Sequence, residues 1–148
     1  MSFDPSQSAG YLVNQLARLF ARELNKSVQP LGLAPAQFLA LTRLCSGPPM
    51  TQRDLARAVN VDQATMAGTL SRMERDGLIR RVANPSDGRS QLIAPTDKAT
   101  AAYHQATSQA LAINDRALSA LSPDDRDRFL SHLRTLIATL DTDAEAPE

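Results

Sequence analysis

From Ser8 to Gln29 the apolar residues Leu12, Leu16, Leu19, Phe20, Leu24 and Val28 recur three and four places apart, with Arg18, Arg22 and Lys26 between them. That spacing predicts one long amphipathic helix. Pro30 and Gly32 end it, and a second helix is expected from Pro35 through Phe38, Leu41 and Leu44 to about Ser46, before the stiff break at Gly47, Pro48 and Pro49. Thr51 with Asp54 three residues on is a helix start that satisfies its own amide groups, and the helix it opens runs to about Val59, burying Leu55, Ala56 and Val59. Asn60 and Val61 make a turn. Asp62 then caps a helix from Gln63 to Asp76, and Gly77 closes it in a left-handed conformation with Leu78 packed behind. Two strands follow, Ile79 to Ala83 and Arg89 to Ala94, around the turn residues Asn84, Pro85, Ser86, Asp87 and Gly88. Thr96 or Asp97 caps another long helix through Tyr103, Ala106, Ala110, Ile113 and Ala117 to about Leu121. Ser122, Pro123 and Asp125 start a last helix that should bury Phe129, Leu133, Leu136, Ile137 and Leu140. The acidic tail beyond it is expected to fray. The fold class is therefore mainly α with one small β-hairpin.

A chain of 148 residues supports one well-buried core. The first helix and the last two carry apolar stripes and stand at opposite ends of the sequence. Either they pack on the middle of their own chain, or they interdigitate with a second copy in a two-fold dimer, which is the expectation we adopt. Sixteen basic residues balance sixteen acidic ones, so bulk charge decides nothing about a nucleic-acid partner. The distribution says more: residues 51–96 hold seven arginines against five acids, whereas residues 97–148 hold five basic residues against nine acids. The lone Cys45 excludes an intramolecular disulfide, the N-terminus lacks a basic start followed by an apolar run, and no window approaches the roughly 20 apolar residues of a membrane span. A soluble cytoplasmic protein without membrane contact is expected. His104 and His132 have no partners at metal-ligand spacing, and no nucleophile-elbow, phosphate-loop or dinucleotide motif occurs, so neither catalysis nor a cofactor has a visible carrier.

The middle of the chain carries the candidate chemistry. With Met66, Leu70 and Met73 as the buried stripe, the Gln63–Asp76 helix presents Ala64, Gly68, Ser71, Arg72 and Arg75 on its other side, flanked by Thr65 and Ala67, with Gln63 at its first turn. A face this small and free of acids fits a major groove about 12 Å wide, where methyl groups meet thymine methyls and hydroxyls or arginines meet base edges and phosphates. Alone, this helix leaves DNA reading and an ordinary solvated face equally open. The hairpin shifts the balance, because its turn projects Arg89 toward a narrow minor groove, with Asp87 two residues earlier placed to hold the guanidinium by a charge-assisted bond.

VDQATMAGTLSRMERDGLIRR followed by NPSDGRSQLIAPT resembles the recognition helix and wing of the MarR family of winged helix-turn-helix regulators. The matching wing residues are Asp87, Arg89, Leu92, Ala94 and Thr96, and the resemblance extends over the whole chain in helix order. It implies a single MarR-type domain over residues 1–148, with dimerisation helices in 1–33 and 97–148 and a winged helix-turn-helix lobe in 34–96. It further implies a homodimer that binds double-stranded, pseudo-palindromic operator DNA, usually as a repressor, and is often released by a small phenolic or lipophilic effector. By position, Thr65, Gly68, Ser71 and Arg72 would face the major groove, Arg53 would sit near phosphates, and Arg89 would enter the minor groove with Asp87 orienting it. The competing function is a winged helix used only for protein contacts.

The chain departs from the family's usual pattern at Gly68, where many relatives carry a polar or basic residue. A glycine inside a helix costs about 1 kcal/mol relative to alanine, and its expected return is close approach of the helix backbone to DNA. An effector would be expected where the first, second and fifth helices meet, near Arg22, Phe38, Cys45 and Tyr103. Some relatives sense oxidants through a cysteine near the start of the first helix, but Cys45 lies late in the second, beside Leu41 and Leu44, and is expected to be a buried, inert thiol.

Overall fold

The computed structural model describes residues 4–141. Its elements are α1 (Ala9–Val28), α2 (Pro35–Leu44), β1 (Met50–Thr51), α3 (Gln52–Ala58), α4 (Gln63–Arg75), β2 (Ile79–Ala83), β3 (Gln91–Pro95), α5 (Asp97–Leu118) and α6 (Pro123–Leu140). Two compact units divide within α5, after Ile113. The expected fraying concerns residues that lie almost entirely outside the described ones.

The helix starts follow their caps. Ser8, Thr51, Asp62 and Ser122 each accept a backbone N–H from three residues on, which satisfies a donor the helix itself leaves open. Gly77 has φ 71°, and the Leu78 amide donates to the Met73 carbonyl at 2.8 Å, a left-handed closure that seats Leu78 in the core at 2% exposure. Asn60 has φ 54°, a conformation asparagine tolerates better than most residues, and it turns the chain between α3 and α4.

The sheet has three strands where two were expected. Met50 pairs with Ile93 and Thr51 with Leu92, so the order is β1-β3-β2 and the hairpin's second strand is central. β3 begins at Gln91 rather than Arg89, because Arg89 and Ser90 belong to the turn. Two residues are too few to show alternation, which is why β1 escaped the periodicity. α2 and α5 also stop short of Ser46 and Leu121, the ends predicted for them.

In the first unit Leu41, Leu44, Leu55, Met66, Leu70, Met73 and Ile93 are fully buried, and Val28, Phe38, Ala99 and Ala106 join the same cluster. Along α1 the predicted stripe is split. Val28 is buried and Leu24 half-buried, but Leu12, Leu16 and Leu19 are exposed, with Tyr11 and Val13 beside them. In the second unit α6 contains no buried residue, contrary to expectation: Phe129 and Leu133 are half-buried, and Leu136, Ile137 and Leu140 are exposed. Ala117 is exposed as well, Leu118 being the buried residue at the end of α5.

Candidate nucleic-acid interface

α4 is held by its inner face. Met66, Leu70 and Met73 are at most 2% exposed, and Thr69, also buried, satisfies its hydroxyl on the Thr65 carbonyl at 3.0 Å. The outer face then carries Gln63, Ala64, Thr65, Ala67, Ser71, Arg72 and Arg75, all exposed as predicted. Gly68 is only half-exposed because Arg72 folds back across it: a Cβ there would lie 3.6 Å from Arg72 Nη1. Two of these side chains are less free than their types suggest. The Thr65 hydroxyl donates to Asp62 Oδ2 at 2.6 Å, and its lone proton is thereby used, leaving the lone pairs and the methyl group for a partner. The same hydroxyl bond, with the Thr65 amide, holds the Asp62 carboxyl below the usual range. Arg75 donates to Asp76 at 2.9 and 3.4 Å, which lowers the Asp76 carboxyl in turn, so Arg75 is bound to its own chain at the far end of the helix.

The wing tip is built by short-range hydrogen bonds. Asn84 Oδ1 accepts the Ser86 amide at 3.0 Å, Asn84 Nδ2 donates to Ser90 Oγ at 2.8 Å, and the Ser90 amide donates to the Asp87 carbonyl at 3.1 Å. Asp87 Oδ1 accepts the Arg89 backbone amide at 3.0 Å but stands 3.7 Å from Arg89 Nε. The expected charge-assisted hydrogen bond is therefore an ion pair beyond bonding distance, and Asp87 positions Arg89 chiefly through the backbone. The Arg89 side chain is 96% exposed and projects from the tip.

Pairing of β1 with β3 brings the start of α3 beside the wing. Between them and the first residue of α4 runs a groove of about 690 Å³ that gathers Arg53, Gln63, Asp87 and Arg89 from three separate elements. Arg81 and Gln91, from the two strands of the hairpin, line it too, as does Gln52, which the unpredicted pairing of β1 with β3 brings beside them. The acid-free part of α4 and the wing tip flank this groove.

At the junction of α1, α2 and α5, the Phe38 and Tyr103 rings lie 6.0 Å apart and Tyr103 OH is 3.4 Å from Ser46 Oγ. Cys45 is partly rather than fully buried, and burial pushes its thiol up against a smaller opposing effect of the Thr100 hydroxyl bond. Arg22 is exposed, with Nε 3.3 Å from Glu23. A second cavity, of about 630 Å³, opens between the end of α1 and α5, with Lys26, Leu31, Gln105 and Gln109 in its walls. Among the described residues no cluster of His, Cys, Asp and Glu is arranged to hold a metal, and no helix is long and apolar enough to cross a membrane.

The model of the MarR family matches residues 33–91. The HTH-type transcriptional regulator YwoH of Bacillus subtilis is 31% identical over 82% of this chain and 87% of its own length. The chain belongs to the MarR family. It is a transcriptional regulator with the winged helix-turn-helix of that family. The MarR fold is matched over nearly the full length by the transcriptional repressor CouR bound to a 23-mer DNA duplex, with TM-score 0.81, 28% identity, and 92% of this chain and 99% of that one covered. The PcaV regulator of Streptomyces coelicolor in complex with its natural ligand matches with TM-score 0.83 and 25% identity, covering 93% of this chain and 97% of that one.

Proposed function

We propose that this MarR-family protein is a cytoplasmic, homodimeric repressor that binds a pseudo-palindromic operator and is released from it by a small phenolic or lipophilic effector. The observation that carries the reading is the convergence of Arg53, Gln63, Asp87 and Arg89 on one groove beside the acid-free face of α4. On this reading Ala64, Thr65, Ala67, Gly68, Ser71 and Arg72 meet the major groove. Arg53 meets phosphate, Arg89 enters the minor groove, and Asp87 shapes the tip that presents it. Arg75, bound to Asp76, serves as a peripheral phosphate contact at most. The likeness to DNA-bound CouR supports the partner, and the likeness to ligand-bound PcaV supports the effector. Exposed Leu12, Leu16 and Leu19 on α1, and exposed Leu136, Ile137 and Leu140 on α6, are large apolar surfaces of the kind a second copy covers. Two reading heads related by a two-fold axis then match two half-sites. Nothing in this scheme calls for catalysis.

Fluorescence anisotropy against the DNA upstream of the protein's own gene, at two salt concentrations, tests it. Affinity should fall steeply with salt as phosphate contacts release counterions, and Arg89→Ala should weaken binding by roughly tenfold or more. Salt-independent or absent DNA binding would leave a protein-contact module in place of a repressor.

A further inference from the structure

The groove between the wing and the start of α4 has to hold something once both its flanks touch DNA. Adjacent major and minor grooves of a duplex are separated by one sugar-phosphate strand. With α4 in the first and Arg89 in the second, as proposed above, that strand crosses the space lined by Arg53, Arg81, Gln91 and their neighbours. The acids in the same lining are already engaged. Asp54 accepts the Thr51 hydroxyl at 2.8 Å, and Asp87 accepts the Arg89 amide at 3.0 Å.

Of the three arginines, Arg53 and Arg89 are exposed, whereas the Arg81 side chain is 28% exposed and anchored. Its Nε donates to Glu74 Oε2 of α4 at 3.2 Å, and its backbone is paired with Ile93 across the sheet. A guanidinium held at Nε keeps its terminal N–H groups for a second acceptor, and its planar fork suits a phosphate. We propose that Arg81 is a phosphate-binding residue for the strand that separates the two grooves, and that Glu74 is a positioning residue that fixes its fork. The inference rests on the DNA-binding reading, from which it differs in assigning a sequence-independent contact to a side chain outside the recognition face and the wing tip.

Salt-dependent anisotropy titrations with operator and with unrelated duplex DNA test it. Arg81→Gln should lower affinity about tenfold for both DNAs and reduce the slope of log affinity against log salt by about 0.9 for each protomer engaged, while Arg81→Lys keeps most of the slope. Glu74→Ala and Glu74→Gln remove the same charge, but only Gln keeps an acceptor for Nε, so the Ala variant should bind several-fold more weakly than the Gln variant. Thermal unfolding of each variant confirms that folded protein is being compared. An unchanged slope in folded Arg81→Gln, a loss confined to operator DNA, or equal binding by the two Glu74 variants overturns the proposal. Wild-type protein that binds neither DNA overturns the DNA-binding reading itself.

Discussion

Gly68→Ala separates the stability of α4 from its work. In the protein alone a methyl at this position meets only Arg72 Nη1, at 3.6 Å, which is ordinary van der Waals contact with the far end of a flexible side chain. No backbone atom stands in the way, so the substitution should recover most of the roughly 1 kcal/mol that glycine costs in a helix interior. For a chain of this size that raises Tm by about 2–4 °C, measured at fixed protein concentration because association shifts the transition. Operator binding should move the other way. The methyl projects from a surface whose neighbours are Ala64, Thr65, Ala67 and Ser71, all small, and it takes up the clearance those residues leave for DNA. Overpacking a close-fitted interface by one methyl costs about 1–2 kcal/mol, a loss of roughly five- to thirty-fold in affinity. Gly68 has a rival role as a seat for Arg72, and the two roles separate in a double-mutant cycle. If the glycine serves only to seat Arg72, Gly68→Ala is harmless in an Arg72→Ala background; if it serves DNA approach, the loss persists. Unchanged operator affinity in Gly68→Ala, or a lower Tm, refutes the close-approach argument.

Leu16 sits in the middle of the exposed apolar run of α1 at 36% exposure, flanked one turn away by Leu12 and Leu19. Leu16→Glu places a charge in the proposed dimer interface and should shift the protein to monomer at micromolar concentration in sedimentation or light scattering; an intact dimer would move the interface elsewhere. The Asp62 carboxyl is lowered by its Thr65 bonds, so its contribution to stability is present above the ordinary carboxylate range and lost as pH falls through the folded-state value. Thermal unfolding followed from about pH 5 down to about pH 2 should therefore show a shallower loss in Asp62→Asn than in wild type, and parallel curves would dismiss the cap as a titrating element.

Local chemistry made most of the fold legible. Caps such as Ser8, Thr51, Asp62 and Ser122, the left-handed Gly77 and the turn at Asn60 declare themselves because each acts through its own few neighbours. The periodicity of α1 and α6 was equally clear, but periodicity states that a stripe must be covered and not what covers it; Leu16 and Ile137 are exposed in one chain for that reason. The part of the site that stayed hidden is long-range. Gln52 and Arg53 face the same groove as Arg81 and Gln91 of the hairpin only because Met50 and Thr51 pair with β3, and a two-residue strand after two prolines leaves no alternation to read. Hydrogen-bond occupancy was hidden as well. Nothing in the spacing of α4 showed that Thr65 would spend its proton on Asp62, or Arg75 its fork on Asp76.

Those occupied groups show how unequally the two ends of the recognition helix are fixed. At its start, the side-chain bonds are local, from Asp62 to Thr65. At its end, Asp76 accepts Gln37 Nε2 of α2 at 3.5 Å, and its carbonyl accepts Lys98 Nζ of α5 at 2.7 Å. The Gly77 carbonyl accepts Thr96 Oγ1 at 2.7 Å, and the Leu78 carbonyl accepts the Thr96 amide at 3.0 Å. Carbonyls at and just beyond the C-cap of α4 thus tie it to the start of α5, with a lysine charge placed where the helix dipole favours it. Thr96, one of the two expected caps of α5 as well as the end of the wing signature, accepts the Ala99 amide at 3.3 Å and so caps α5 while holding α4. Beyond the packing of its inner face, α4 is therefore tied at its C-terminal end by residues at the start of the long helix α5. The N-terminal end, where Gln63 lines the groove, is held by the local Asp62–Thr65 bonds and by the buried Met66.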